Sequence, residues 1–401
     1  MDAVFCLPPN WAQPVQVSHI WRTGLLKAIT GPEQRSRLYS FPRIKLAFTA
    51  TPNTYADRAW LTRALWRDLH KLWGVPIWPD GTALTAEAAS GQAVLSVGQT
   101  DYRRFYDGGR CILIDPQNPL TYETGIIDSV ASTSITLDAN LSTTWPAGIS
   151  VYPLIEGRLS ASQSIQLQSY KTAGIDIEVT ETFESGTDHH AVSPSQSVTQ
   201  YEGYDVFLYL PNLISSKIGV EHDYQVLEYL GPSYSDSNLD ESAITLAATF
   251  TRSNRVNLWD IWTFFDVHKG RYGHFWVPSF QRDIQVTAGF TSTATTFHIT
   301  DIEYSDYWLP NDATGRHLFF RFPDGTYVFR AVTGATDTTL TIDSAIGVAC
   351  ATADLDRLYV GFLHFCRFSI DELTAEYKFK LPTAADLNLK FVTIPFEAPA
   401  I

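Results

Sequence analysis

The sequence predicts a mainly β chain: two tandem copies of an antiparallel β-sandwich with one flanking helix, each copy carrying a small β-barrel-like insertion. Three observations lead there. Segments of the first half recur in order in the second. Short β-branched runs are separated by Gly, Pro, Asn and Asp. Each half holds one apolar stripe at helical spacing.

The recurrence begins with Val4–Trp11 (VFCLPPNW), which matches Val206–Leu213 (VFLYLPNL). Arg43–Asn53 then matches Ser242–Asn254, and His70–Asp80 matches His268–Asp283. Gly108–Ile114 matches Thr314–Phe320, and Gly125–Asp138 matches Tyr327–Asp343. Val151–Ser160 matches Leu358–Ser369, and Ile175–Glu184 matches Leu387–Glu397. Each pair alone is weak; all of them in unbroken order predict a duplication. The expected organisation is a first copy over 1–185, with its insertion at about 80–155. A Ser/Thr/Gln-rich linker over 186–202 and a second copy over 203–401 follow, with the second insertion at about 284–360.

Taken in order, Arg43–Thr51 alternates Ile44, Leu46 and Phe48 on one face, as a half-buried strand does. Asn53 or Thr54 then caps a helix running to about Leu72, with Leu61, Leu65, Leu69 and Leu72 as its buried stripe. Asn254 caps the second helix, whose stripe is Leu258, Ile261 and Phe265 and which Gly270 or Gly273 stops. Ala93–Val97, Cys111–Asp115, Tyr122–Val130, Ser134–Leu137 and Ile149–Leu154 read as the short strands of the first insertion. Leu159–Gln168 and Gly174–Glu184 alternate polar and apolar residues and are expected to close back on the first strand.

Composition narrows the function classes. With 401 residues, 45% hydrophobic and 18% charged, the chain has ample core for two or three domains and is too apolar for disorder. The N-terminus lacks a basic region followed by an apolar one, so no signal peptide is expected, and no apolar run is long enough to span a membrane. A formal charge of −14 disfavours a nucleic-acid surface. The first 200 residues carry 15 basic and 18 acidic side chains and the remainder 14 and 25, so the two copies have diverged at their surfaces. Aromatic content is high, with 11 Trp, 19 Tyr and 23 Phe, which fits either assembly interfaces or sugar binding.

The search for chemistry finds no phosphate loop, dinucleotide fingerprint, zinc-protease helix or nucleophile elbow. Cys6, Cys111, Cys350 and Cys366 are too scattered for a zinc site or a disulfide framework. Asp188, His189 and His190 are the best metal-like cluster, but adjacent residues of an extended linker point apart. Asp80, Asp101 and Asp107 near Trp78, and Asp283, Asp301, Asp306 and Asp312 near Trp308, invite a glycosidase reading, for which turn-filling Asp is the plainer account. Arg103, Arg104 and Arg110 with Tyr102 and Phe105 form a basic patch, expected to be a salt-bridged loop or a protein interface. No cofactor, no metal and no enzymatic activity are expected.

The segment His268–Asp283, after a helix ending in Phe264-Phe265, carries Gly270, Arg271, Gly273, Phe275, Trp276 and Asp283. This pattern resembles the signature of distal tail proteins, found at the tail tip or baseplate of long-tailed bacteriophages and gene-transfer agents. Cys366–Tyr377 is similar to the closing segment of such proteins. The first copy keeps Gly74, Pro76, Trp78 and Asp80, with Leu72-Trp73 in place of the Gly-Arg pair. The resemblance implies a tail-tube-like fold and structural work in the virion, in a ring around the tail channel. It implies as partners the chain itself, as a pseudo-sixfold trimer or a hexamer, together with tail tube, tape-measure, hub and fibre proteins. No membrane and no specific nucleic acid beyond passing DNA are implied. An acidic wall would let DNA slide without sticking.

Trp78, Phe275, Trp276 and Phe280 are expected as core or interface anchors at the helix–strand turn. Tyr102, Arg103, Arg104, Phe105, Tyr307 and Trp308 are expected as exposed contacts at the insertion tips. The competing reading is a carbohydrate-binding protein of a virion or cell surface whose insertions present Trp and Tyr.

Overall fold

The structure, a computed structural model, describes residues 1–28, 31–169, 171–182, 197–212, 216–222, 224–227, 233–237, 242–309, 315–378 and 384–399. Asp188, His189, His190, Asp312 and most of the expected linker lie outside the described residues.

The chain opens with β1 (Ala3–Val4), β2 (Val15–Ile20) and a hairpin of β3 (Thr23–Lys27) and β4 (Glu33–Arg37). β5 (Arg43–Ala50) buries Ile44, Leu46, Phe48 and Ala50 in strict alternation. It leads into α1 (Tyr55–Asp68) and β6 (Trp73–Pro76). Strands β7 (Thr82–Ala83), β8 (Val94–Ser96), β9 (Arg110–Ile114), β10 (Tyr122–Ala131) and β11 (Ser134–Leu137) precede the long β12 (Ser150–Leu159). β13 (Ile165–Leu167) and β14 (Ala173–Glu181) end the first half.

The second half begins with β15 (Gln200–Tyr201), β16 (Tyr204–Asp205), β17 (Lys217–Glu221) and the hairpin β18 (Gln225–Leu227) and β19 (Tyr234–Asp236). β20 (Ala243–Arg252), α2 (Arg255–Val267) and β21 (Phe275–Pro278) follow. Next come β22 (Thr296–His298), the short α3 (Tyr304–Tyr307), β23 (His317–Arg321), β24 (Tyr327–Thr336) and β25 (Thr339–Ile342). β26 (Tyr359–Phe368), β27 (Glu372–Tyr377) and β28 (Ala385–Thr393) complete the fold.

Capping fixes where both helices start. Thr54, not Asn53, caps α1, its Oγ1 accepting from the Asp57 N–H at 3.1 Å. Asn254 caps α2, its Oδ1 accepting from the Val256 N–H at 2.9 Å. Asn254→Ala is expected to cost about 1 kcal/mol, read as a lower urea midpoint with an unchanged slope. α1 ends at Asp68, so Leu72 lies beyond it and the buried positions are Leu61, Leu65 and Asp68. α2 is far more enclosed, burying Leu258, Ile261, Trp262, Thr263, Phe264 and Phe265. After α2 the chain turns through Gly270 at φ +63°. A Cβ there would come within 2.8 Å of Asp371 Oδ1, and one at Gly273 within 2.8 Å of the His268 carbonyl. Those glycines therefore let the Phe-Trp strand β21 start close against the helix.

The fold is mainly β and antiparallel. In the first half β14 lies between β5 on one side and β12 with β13 on the other, and β2 lies outside β5. In the second half β28 lies between β20 on one side and β26 with β27 on the other, and β17 lies outside β20. Each insertion closes on itself. β12, β9, β10, β11 and β8 pair in turn, Leu84 bridges Val97, and β7 returns to β12. In the second insertion β26, β23, β24, β25 and β22 pair in turn, with Val286–Ile299 and Ile284–Val360 bridges closing the circuit. Both long hairpins slip register at the same point, between Ile127 and Ser129 and between Val332 and Gly334.

Each barrel has its own core, built around Leu95, Ile135 and Val151 in one and Leu318, Phe320 and Leu340 in the other. The main core is shared. It runs from Phe5, Leu46 and Trp73 to Phe207, Phe275 and Phe391 without a break between halves. The reason is one pairing: β2 lies against β27, from Val15 opposite Tyr377 to Ile20 opposite Glu372, and joins the two sheets.

Candidate functional site

A buried network of charged and polar side chains lies where the halves meet. Its centre is Asp80, in the turn after β6 and 0% exposed. Arg104 donates from Nη1 to Asp80 Oδ2 at 2.8 Å, and Arg255, the first residue of α2, donates to Oδ1 at 3.0 Å. Arg255 also donates to the carbonyls of Tyr102, at 3.0 Å, and of Pro79. Burial opposes the Asp80 charge, but the two guanidiniums outweigh it and hold the carboxyl below the usual carboxylate range.

The network continues along β2. Arg104 Nη2 lies 2.9 Å from His19 Nε2, and His19 Nδ1 lies 2.7 Å from Asp266. Arginine has no acceptor, so Nε2 must accept and the His19 proton sits on Nδ1, facing Asp266. Trp21 Nε1 donates to the other Asp266 oxygen at 2.9 Å. The Arg104 guanidinium lies over the Trp259 and Trp262 rings, and His19 packs on Trp262 at 4.1 Å between ring centres. Two carboxylates thus face two guanidiniums, with a neutral imidazole between them.

A second latch lies at the turn between β26 and β27. Asp371 accepts from the Thr23 N–H, the Thr23 hydroxyl and the Arg271 N–H, at 2.8, 3.0 and 2.9 Å. The hairpin β3–β4 of the first half lies on the second half beside it. Glu33 takes both a 2.7 Å and a 2.9 Å bond from Arg367, and Arg35 pairs with Glu397. Burial disfavours the Glu33 carboxylate, yet its bonds and charge contact with Arg367 hold its pKa below the ordinary value.

The expected site residues divide. Phe275 and Trp276 are buried on opposite faces of β21, Phe275 among Phe207, Phe264, Phe368 and Phe391, Trp276 against Tyr201, His317 and Phe365. Trp78 packs on Phe48 and Tyr152, and Phe280 is buried at φ +57°. The exposed-contact reading needs correction for the first insertion. Arg104 is buried in the ion network and Phe105 in the barrel core. Tyr102 and Arg103 are half-buried, Tyr102 turning at φ +56° and lying 6.4 Å from the Trp259 ring. Burial, then the neighbouring Arg255 charge, lowers the Arg103 pKa to about 10. In the second insertion Tyr307 is 68% exposed, whereas Trp308 stacks on Phe362 at 4.5 Å and is half-buried. Sequence alone does not single out His19, Trp21, Arg255, Trp262 or Asp266; polar residues within an apolar strand and helix are the available signal.

Two of the carboxylates considered for hydrolysis are held by partners within the fold. Asp80 is enclosed by its arginines, and Asp283 accepts from the Ser279 hydroxyl and, at 2.9 Å, from the Phe362 N–H. All four cysteines are free and buried, and burial pushes the Cys6 and Cys111 thiols up to about 12 and Cys366 higher still. All four are expected to resist iodoacetamide at pH 8 in the native protein and to react after urea unfolding, as counted by intact mass. Among the described residues no group of three or more His, Cys, Asp or Glu is placed to hold a metal ion, and no helix is long and apolar enough to cross a membrane.

No known family model matches the chain, and no curated protein matches it. The junction itself carries the functional argument.

Proposed function

We propose that the protein is a structural, non-enzymatic component of a bacteriophage tail tip or baseplate. In this reading it forms a ring around the tail channel and joins the tail tube to the hub or fibres. The chain is then a tandem duplication acting within the virion, and its main contacts are with copies of itself. The observation that carries this reading is the β2–β27 junction: two halves with corresponding strand order continue one sheet edge to edge, sealed by the Asp80 network. A unit that can join its neighbour in this way within one chain is suited to repeat the contact between chains. The resemblance of Gly270–Trp276 to distal tail proteins supports the same role. The deciding experiment is cryo-electron microscopy of particles from the phage or gene-transfer agent that encodes the chain. Density for this fold around the distal end of the tail is expected; a monomer, or a location on the capsid, would end the reading.

One feature favours carbohydrate binding as the alternative. A groove of about 1300 Å³ between the first barrel and the sheet is lined by Trp11, Trp78, Tyr152, Arg103 and Pro119. Specific glycan-array binding that Trp11→Ala abolishes would favour it.

A further inference from the structure

The contact that joins the halves has two counterparts that the described residues leave unfilled, one at each end of the joined sheet. The helix caps align them. Leu46 stands eight residues before the Thr54 cap and pairs with Val17; Leu246 stands eight before the Asn254 cap and pairs with Ile218. β17 therefore occupies in the second half the place of β2 in the first. Val17 and His19 are fully covered by β27 and α2, whereas Ile218 and Val220 are 59% and 69% exposed. Among the described residues β17 pairs with β20 alone.

The other end shows the reverse half of the contact. Counted from the caps, Trp259, Trp262 and Asp266 of α2 correspond to Ala59, Thr62 and Trp66 of α1. The α2 stripe is covered by β2 and Arg104; the α1 stripe is exposed, and Trp66 is 88% exposed. β13 takes the place of β27. Ile165 pairs with Ile175, and Ala375 pairs with Leu387, both partners lying opposite the residue four before a helix cap. Leu167 then corresponds to Tyr377, which the junction buries, but is itself 72% exposed. Arg158, next to last in β12, is exposed, while Arg367, next to last in β26, is clasped by Glu33 of the hairpin arm.

We infer that copies of this chain join head to tail, with β17 of one copy antiparallel to β13 of the next. The register copies β2–β27 and sets Ile218 opposite Ile165 of the next copy. Trp66 of that copy covers Ile218 and Val220, and the arm β18–β19 crosses to the region of its Arg158. Edge pairing supplies main-chain bonds and direction, and the apolar stripe supplies the driving force. The two faces differ, so the contact is heterologous and repeats along a ring. The inference rests on the ring reading for what the contact serves, and on geometry for where it lies.

The test uses the purified full-length chain at about 100 µM, a concentration that populates even a weak contact. The double variant Ile218→Cys with Ile165→Cys is treated with a short bifunctional maleimide. A ladder of covalent multimers is expected, because the four native thiols are buried and silent. Ile218→Cys alone is expected to stay monomeric, and Ile218→Cys with Leu167→Cys to link at least tenfold less. In the native background Trp66→Ala is expected to raise the midpoint concentration of self-association by tenfold or more in sedimentation, with an unchanged melting temperature. No ladder, equal linking in the shifted register, or efficient linking by Ile218→Cys alone would overturn the inference. The tail reading fails separately: multimers in this register from a chain absent from tails would leave the interface standing and remove its proposed setting.

Discussion

Asp80→Asn is expected to lower folding stability by about 3–5 kcal/mol, because it leaves two guanidiniums facing a neutral amide in a closed site. The effect reaches beyond the turn that holds Asp80. Arg104 also orders His19 and packs on Trp259 and Trp262, and Arg255 fixes the start of α2. Urea unfolding followed by Trp fluorescence measures the loss. The double variant Asp80→Asn with Arg104→Met is expected to be less destabilised than the sum of the single changes, since it removes one of the stranded charges. A loss below about 1 kcal/mol for Asp80→Asn would show that the network does not hold the halves together.

The same carboxylate gives a pH dependence with a definite sign. Its folded pKa lies below its unfolded value of about 3.9. Its contribution is therefore complete above the unfolded pKa and is lost as pH falls through the depressed folded value. Glu33, also lowered, acts in the same direction. The wild-type protein is expected to lose stability as pH drops below about 4, and Asp80→Asn to show a shallower decline there, as measured by urea midpoints across pH.

Phe275→Ala is expected to cost a similar amount, about 3–5 kcal/mol, by a different mechanism. Phe275 is 0% exposed, with the rings of Phe207, Phe264, His268, Phe368 and Phe391 around it. Those neighbours come from a strand bridge, a helix and two sheet strands, so no single element can move to fill the cavity. The loss is expected to be the same at pH 5 and pH 8, because no charge is removed. Phe275→Leu is expected to recover about half of it. A pH-dependent loss would show that His268, stacked beside Phe264, changes its protonation when the core loosens.

Much of the local fold was legible. Alternation in Arg43–Ala50, a cap at Asn53 or Thr54, the cap at Asn254, and the order of short strands in the first insertion follow from spacing and turn residues. Residue types also marked Phe275 and Trp276 as anchors. The junction was not legible. Asp80-Gly81 has the form of a turn dipeptide and Arg104 stands in a basic patch that suits a salt-bridged loop or an interface; their sequence neighbours do not show that the two are buried together, or that Arg255, 175 positions from Asp80, completes the pair. Phe105 sits between charged residues and turns, yet its ring completes a barrel core closed by strands on either side of it in sequence. More of the aromatic residues pack in the shared core than in either barrel.

The sequence by itself determined the mainly β class of the fold and where its two long helices begin. These depend on periodicity, caps and turns, which act over a few residues. Only the tertiary structure decided that the halves share one core, that β2 lies against β27, and that a buried ion network seals the seam. A strand's alternation states which face it buries but not which edge it meets. That choice is made by the side chains brought opposite it from hundreds of residues away.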